Sequence, residues 1–277
     1  MKKSVLGVVS AILTAFVLSG CGDSECKNAQ NLFDGCVVVK YHADGRVQSI
    51  SRFENNKLNG LSKSYYANGR LREEREFKND VPHGIERKYH ANGQLLHKIA
   101  FKDGKMDGAY ESYFENGQVQ MQSRYKNGRL VGEYKRYFEN GKVRESGTFS
   151  EVAAFYVGEF REFFNNETPK AELNYGKNGE LLVGSKRYFK DGSLKNELLA
   201  NSDKMVFRAY SQGGQLDYET QVINAEPNEI AEHGLLKNYD KKGAVKEVVL
   251  FERGKRKARL CFGAARCAEF NENNVSF

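Results

Sequence analysis

The sequence contains no tryptophan, only 3 prolines among 277 residues, and few aliphatic side chains. Its hydrophobic fraction of 40% is below the about 45–50% of average globular domains, which argues against a large α/β core. Aromatic residues nevertheless reach 12% and glycines number 27, so the composition is not that of a disordered tail. The net charge of +7 is mildly basic and does not by itself indicate nucleic acid.

Catalytic motifs are also missing: the chain has no G-x-S-x-G, H-E-x-x-H or phosphate-binding P-loop pattern. His42 and His90 lie two periods apart in the repeat described below, and His83 and His233 precede turn glycines, so they do not suggest a triad. Asp103-Gly104 lacks the surrounding acidic series of a calcium loop. We therefore expect no enzyme activity, no catalytic residue, no metal site and no cofactor.

The N-terminus has the features of an export signal. Lys2 and Lys3 precede an apolar run, Val5 to Leu18, that is too short to span a membrane and suits a signal helix. The run ends in Leu-Ser-Gly-Cys, which resembles a bacterial lipobox and predicts a lipoprotein signal peptide over 1–20 with lipidation of Cys21. An ordinary N-terminal anchor and a plain secretory signal are the alternatives.

The expected location of the mature chain is the cell envelope. Two or more acyl chains hold a protein stably at a membrane without spanning it. Residue 22 is Gly rather than Asp, which by analogy with Gram-negative sorting favours the outer membrane, facing the periplasm. Residues 21–40 would then form a lipidated tether and an N-terminal cap.

Four further cysteines flank the central region, and an even number in an exported chain suggests disulfides. Pairing of neighbours, Cys26 with Cys36 and Cys261 with Cys267, is the simplest of the three connectivities and closes short loops at both ends. Metal binding is the alternative, but no C-x₂-C spacing is present and no histidine accompanies either pair.

An internal repeat of 24 residues decides the fold. A turn motif ending in glycine recurs with this period, and a second glycine series (60, 84, 108 and 132) keeps the same spacing. Later copies drift, and we count about nine units over residues 41–256, followed by a C-terminal cap over 257–277. The regular turn glycines are Gly45, Gly69, Gly93, Gly117 and Gly141.

Each unit has the pattern of a β-hairpin. Asn116-Gly117 predicts a type I′ turn, and Asn127-Gly128 predicts a second turn toward the next copy. Between them Met121, Ser123 and Tyr125 alternate with polar residues, as in a strand with one less polar face. We therefore predict an all-β fold: an elongated, single-layer antiparallel meander of about eighteen strands.

Adjacent aromatic residues, such as Tyr65-Tyr66 and Tyr113-Phe114, end the first strand of many units. Neighbours on a strand point to opposite faces, so the repeat should place an aromatic ladder on each side of the sheet. The ladders either replace the missing aliphatic core or leave one row exposed to a partner. The candidate partner-binding residues are Tyr66, Tyr89, Phe114, Phe138, Phe164 and Phe189.

The turn motif Tyr66-Ala67-Asn68-Gly69-Arg70-Leu71, with Phe77-Lys78-Asn79-Asp80 and Gly84 after it, resembles the bacterial MORN-repeat variant of YwqK-type antitoxins. That resemblance implies a long, twisted sheet of hairpins that binds other macromolecules. Departures begin after Gly141: Glu167 replaces a turn glycine, and residues 222–233 enlarge a loop.

Basic residues give two further options for partners. They interleave with aromatics, as at Lys135-Arg136-Tyr137, but an exported lipoprotein would rarely meet nucleic acid, so we expect none. The cluster Arg253 to Lys257, with Arg259, suits either protection of a terminal strand edge or contact with anionic lipid or an acidic partner.

Two functions remain in competition. The first is a non-enzymatic, membrane-anchored scaffold that binds a protein, as an immunity-type lipoprotein that neutralises an envelope-targeted toxin, with specificity in the irregular units at about 147–234. The second is a structural envelope lipoprotein that binds phospholipid or cell-wall glycan. An enzyme ranks third.

Overall fold

The computed structural model describes residues 24–25, 35–201, 204–226 and 229–262. Within these residues the chain forms a single β-sheet and no helix. Consecutive strands pair antiparallel, as in a meander, and only the two-residue strand β1 runs parallel to its neighbour β2. The predicted all-β, single-layer meander is therefore confirmed.

The strands are mostly six to nine residues long. Their bounds are β1 Ser24–Glu25, β2 Cys36–Tyr41, β3 Val47–Glu54, β4 Lys57–Leu58, β5 Gly60–Tyr65, β6 Leu71–Lys78, β7 Val81–Pro82, β8 Gly84–Tyr89, β9 Leu95–Lys102, β10 Lys105–Tyr113, β11 Val119–Lys126, β12 Arg129–Tyr137, β13 Val143–Phe149, β14 Tyr156–Phe163, β15 Pro169–Tyr175, β16 Lys186–Tyr188, β17 Leu194–Asn201, β18 Lys204–Tyr210, β19 Leu216–Glu226, β20 Glu229–Tyr239, β21 Val245–Glu252 and β22 Lys255–Phe262.

The number of strand positions across the sheet is slightly larger than predicted. Strands β4 and β5 both pair with β3, and β7 and β8 both pair with β6, so each couple is one interrupted strand. The 22 strands therefore occupy 20 positions rather than about eighteen. At about 4.8 Å per strand the sheet extends roughly 90 Å across its strands.

One edge of the sheet carries three-residue turns. The Gly117 amide donates to the Phe114 carbonyl at 2.9 Å, and the Phe114 amide donates to the Gln118 carbonyl at 2.8 Å. Only Gly117 (φ 84°) has a positive φ in this turn, so a type I turn is followed by a left-handed glycine. The predicted type I′ turn at Asn116-Gly117 is wrong, because that turn needs positive φ at both residues.

The opposite edge carries the type I′ turns. Asn127 (φ 51°) and Gly128 (φ 81°) both adopt the left-handed region, which confirms the second predicted turn. Asn55-Asn56, Asn79-Asp80, Asp103-Gly104 and Arg253-Gly254 have the same backbone signature. The Gly128 amide also donates to the Met106 carbonyl at 2.8 Å, which ties this turn to the preceding repeat.

Alternation along the strands separates two faces. The aromatic face is the side that carries Ile99 on β9, Tyr110 on β10 and Tyr125 on β11. The ionic face is the opposite side and carries Lys98 on β9 and Glu111 on β10. A register shift follows each three-residue turn, so one extra residue is inserted there in every hairpin.

A compact hydrophobic core exists only over part of the described sheet. It consists of buried residues of β15, β17 and β19, together with Leu181 from the connection between β15 and β16: Ala171, Leu173, Tyr175, Leu181, Leu198 and Val222. This core lies inside the irregular units at 147–234. The units that depart from the repeat therefore form the hydrophobic core, which was not predicted from the sequence.

Several sequence predictions fall outside the described residues: the signal peptide 1–20, Cys21, Cys26, Cys267 and most of the cap at 257–277. Cys36 is fully buried at the start of β2, and Cys261 lies on β22 opposite Val248. The disulfide pairing remains a prediction. In the part of the chain that the structure describes, no helix is long and apolar enough to cross a membrane.

Candidate functional site

A row of charged and polar residues crosses the centre of the ionic face. Each member is the direct cross-strand neighbour of the next, from β5 to β20. We call it the ionic row: Lys63, Glu74, Arg87, Lys98, Glu111, Gln122, Lys135, Ser146, Arg161, Glu172, Lys186, Glu197, Arg208, Glu219 and Lys237. Opposite charges often face each other across strands, as in the 3.0 Å pair of Arg87 with Glu74.

An apolar row runs beside the ionic row, next to the three-residue turns. It is formed by an aromatic residue that ends one strand and the residue directly opposite it on the next strand. We call it the apolar stripe: Tyr41–Val47, Tyr65–Leu71, Tyr89–Leu95, Tyr113–Val119, Tyr137–Val143, Phe163–Pro169, Tyr188–Leu194, Tyr210–Leu216 and Tyr239–Val245. All of its members are half-buried or exposed, and Tyr41 and Val143 are the most exposed at 46% and 37%.

Six tyrosine hydroxyls of the stripe donate to the ionic row, which places both on the same face. Tyr188 donates to Glu172 at 2.7 Å, and Tyr210 donates to Glu197 at 2.6 Å. Burial, followed by the hydrogen bond to Glu172, raises the pKa of Tyr188 to about 12. These bonds fix each ring in position and satisfy its polar end.

The centre of the ionic row has an excess of positive charge. Lys98 and Lys135 take part in no ion pair within the described residues, and the neighbours of Lys135 in the row are the neutral Gln122 and Ser146. The Glu111 carboxylate accepts the Tyr113 hydroxyl at 2.8 Å. The three hairpins around β8 to β13 therefore present tyrosines and aliphatic residues beside two lysines: Lys98, which lies opposite Glu111 without an ion pair in the described sheet, and Lys135, whose neighbours in the row are neutral.

The six predicted partner-binding aromatics occupy two different positions. Tyr89 ends a strand and belongs to the apolar stripe. Tyr66, Phe114, Phe138, Phe164 and Phe189 instead open the three-residue turns and are all half-buried. The Tyr66 hydroxyl donates to the Tyr89 carbonyl at 2.7 Å, so this side chain links one hairpin to the next.

Rings that contact one another lie on the aromatic face. Tyr110 meets Tyr125 edge-on at 5.8 Å, and Tyr134 meets Phe149 edge-on at 5.5 Å. Tyr156 continues this packing with Phe149 at 4.3 Å and joins the hydrophobic core. The period-two pattern predicted the position of Tyr125 but not its contact with Tyr110.

A buried ionic cluster also lies on the aromatic face. Glu86 is 3% exposed, its carboxylate accepts a 2.9 Å hydrogen bond from His97 Nε2, and Arg75 forms an ion pair with it. Burial favours the protonated acid, but His97 and the charges of Arg75 and Lys88 outweigh it and hold the pKa of Glu86 below its ordinary value. Arg75, Lys88 and His97 come from β6, β8 and β9, so the cluster ties neighbouring hairpins together.

Comparisons with known proteins identify the repeat. Four tandem segments, 58–79, 82–103, 106–127 and 130–151, match the family model of the MORN repeat variant. No curated protein sequence matches the chain. Within the described residues, no group of three or more His, Cys, Asp or Glu side chains is arranged to hold a metal ion.

Solved structures show only remote similarity. The chain is similar to a porin-like protein from Bacteroides uniformis, with 11% identity, a TM-score of 0.20, and coverage of 79% of this chain and 91% of that one. It is also similar to part of the TcdB2-TccC3-Cdc42 structure, with 10% identity and a TM-score of 0.15. That match covers 78% of this chain and 14% of the other, so the chain spans a small fraction of its length.

Proposed function

We propose that the protein is a lipid-anchored, non-enzymatic repeat scaffold whose ionic face binds a protein partner. The apolar stripe carries this proposal. It is a continuous row of nine aromatic-containing pairs, none of which is fully buried. Soluble monomers rarely expose contiguous apolar patches beyond a few hundred Å², and larger ones mark interaction sites.

The role that we favour is immunity: the scaffold neutralises a toxin delivered to the cell envelope. The predicted lipobox at Cys21 supports a position at the outer membrane, and the four MORN repeat variants support a scaffold. In such a complex a few aromatic and arginine anchors would contribute most of the affinity. Binding of phospholipid or cell-wall glycan is the alternative.

Affinity capture from envelope extracts tests the proposal. The bait is the full chain, compared with the triple variant Leu95→Thr, Val119→Thr and Val143→Thr, which makes the stripe polar. The matched control places threonine at three exposed valines off the stripe: Val81, Val152 and Val183, which are 40%, 74% and 42% exposed.

We expect the wild type and the control to retain a stoichiometric protein that the stripe variant loses. Deletion of the gene should also increase sensitivity to a toxin from competing cells. Capture of no protein, together with unchanged sensitivity, contradicts the proposal. Co-sedimentation of the unlipidated chain with liposomes or cell-wall sacculi would then support the alternative.

A further inference from the structure

The tyrosines on the ionic face are spaced at a distance that matches one polypeptide conformation, the polyproline II helix. Tyr89, Tyr113 and Tyr137 lie on β8, β10 and β12, so successive rings are two strands apart. Two strand spacings amount to about 9.6 Å. One turn of a polyproline II helix contains three residues and advances about 9.3 Å, so every third residue of such a helix meets an equivalent tyrosine.

The chemistry beside these rings suits the same ligand. Leu95 and Val119 lie between the tyrosines, Val143 lies just beyond Tyr137, and all three complete shallow apolar sites for proline rings. Polyproline II segments dock on aromatic-lined surfaces at low entropic cost because their conformation already exists in solution. Lys98 and Lys135, which have no ion pair in the described structure, are available to acidic side chains of the ligand.

We propose that the three hairpins from β8 to β13 bind an acidic, proline-rich segment of the protein partner in the polyproline II conformation. This inference rests on the proposed function and specifies its ligand. Sheet twist limits the length of the contact. Adjacent strands rotate by about 20–25°, so each hairpin turns the stripe by about 40–50° relative to a straight ligand. The footprint is therefore about three polyproline turns.

Fluorescence anisotropy with synthetic peptides tests the inference on the full, unlipidated chain. The probe is labelled (Glu-Pro-Pro)₄, and the comparison peptides are (Glu-Gly-Ser)₄, which is flexible, and (Lys-Pro-Pro)₄, which has the opposite charge. We expect at least tenfold tighter binding of the first peptide than of either comparison. Peptides of one, two and three triplets should bind progressively better, with little gain beyond about three.

Two lysine variants locate the site. Lys135→Glu should weaken binding of (Glu-Pro-Pro)₄ at least tenfold, whereas Lys105→Glu should leave it unchanged. Lys105 is an exposed lysine in the type I′ turn region and also has no ion pair in the described structure. Circular dichroism verifies that both variants fold.

Equal binding of the flexible and the proline-rich acidic peptides overturns the inference, as does equal loss in both lysine variants. Binding of cell-wall glycan fragments but of none of the three peptides also overturns the inference and favours the alternative function. If the envelope partner is still captured through the stripe while no proline-rich peptide binds, the scaffold function stands and only the ligand class is wrong.

Discussion

Asn92 Nδ2 donates a 2.8 Å hydrogen bond to the carbonyl oxygen of Glu115, one repeat further along the chain. The Oδ1 atom of the same side chain accepts the amide of Gln94 at 2.9 Å and closes its own turn. Asn68 and Asn116 make the same pair of bonds. The asparagine side chain at this position therefore makes two hydrogen bonds: one closes its own turn and the other links successive hairpins.

Replacing Asn92 by aspartate separates these two roles. The variant keeps the acceptor for Gln94 but loses the donor to Glu115 and places a negative charge beside that carbonyl. We expect a loss of about 1–2 kcal/mol in the free energy of unfolding, measured by denaturant titration. Asn140→Asp is the control, because Asn140 has only the bond within its turn, to Lys142, among the described residues. Equal destabilisation of both variants contradicts the inter-hairpin role.

Glu167 has a φ of 68° in the turn where the repeat otherwise has glycine. A side chain in the left-handed region costs roughly 1 kcal/mol, so Glu167→Gly should raise the free energy of unfolding by about that amount. The substitution also removes an exposed ion pair with Lys142, worth about 0–1 kcal/mol. Lys142→Ala measures that loss separately. A Glu167→Gly protein less stable than Lys142→Ala would show that backbone strain is not the dominant effect.

The period and the hairpins could be predicted because asparagine-glycine pairs and alternating side chains report local backbone preferences. The turn type at Asn116-Gly117 could not, because loop length depends on which residues pair across the turn, here Phe114 and Gln118. The Asn-Gly dipeptide alone does not determine which residues pair across the turn. At Asn127-Gly128 the pairing and the dipeptide agree, and the prediction holds.

The aromatic half of the apolar stripe was predicted as a ladder of strand-ending rings, but its partners on the next strand were missed for a related reason. After each turn the register shifts, so simple alternation along β9 does not show that Leu95 lies opposite Tyr89. The ionic row was partly predictable, since Glu74 lies among basic residues in the sequence. Its continuity across the sheet depends on the register of every hairpin, which no local pattern contains.

The buried cluster on the aromatic face predicts sensitivity to acid. The folded-state pKa of Glu86 is lower than its ordinary value of 4.5, so ionised Glu86 contributes stability above that pH. This contribution is lost as the pH falls from 4.5 through the folded-state pKa. Glu86→Gln should therefore be less stable at pH 7, on the order of 2 kcal/mol, and should lose less stability on acidification.

Unfolding titrations between pH 7 and pH 3 measure the Glu86 effect. Glu133→Gln is the matched control, because Glu133 is exposed and takes part in no ion pair within the described structure. An acid dependence that is identical in the wild type and in Glu86→Gln would contradict the prediction.

Tyr188 predicts sensitivity to alkali. Its pKa rises from 10.0 to about 12 on folding, so the neutral phenol contributes stability that is fully present below pH 10. That contribution is lost as the pH rises from 10 to about 12. Tyr188→Phe should remove this part of the alkaline loss, and tyrosinate absorbance should show one fewer late-titrating group. Tyr137→Phe is the control, because the Tyr137 hydroxyl donates to the neutral Gln122 at 2.8 Å.

Leu198 and Leu194 lie on the same strand, β17. Substitutions at the two positions distinguish the effect of core packing from the effect of partner binding. Leu198 is 1% exposed within the hydrophobic core, whereas Leu194 is half-buried in the apolar stripe. Leu198→Ala should lower the free energy of unfolding by about 3 kcal/mol, because it leaves a cavity, and Leu194→Ala by about 1 kcal/mol. Capture of the envelope partner should respond in the opposite order, with the greater loss for Leu194→Ala under conditions where both proteins are folded. A partner affinity that follows stability in both variants would show that the stripe acts through folding rather than as a contact surface.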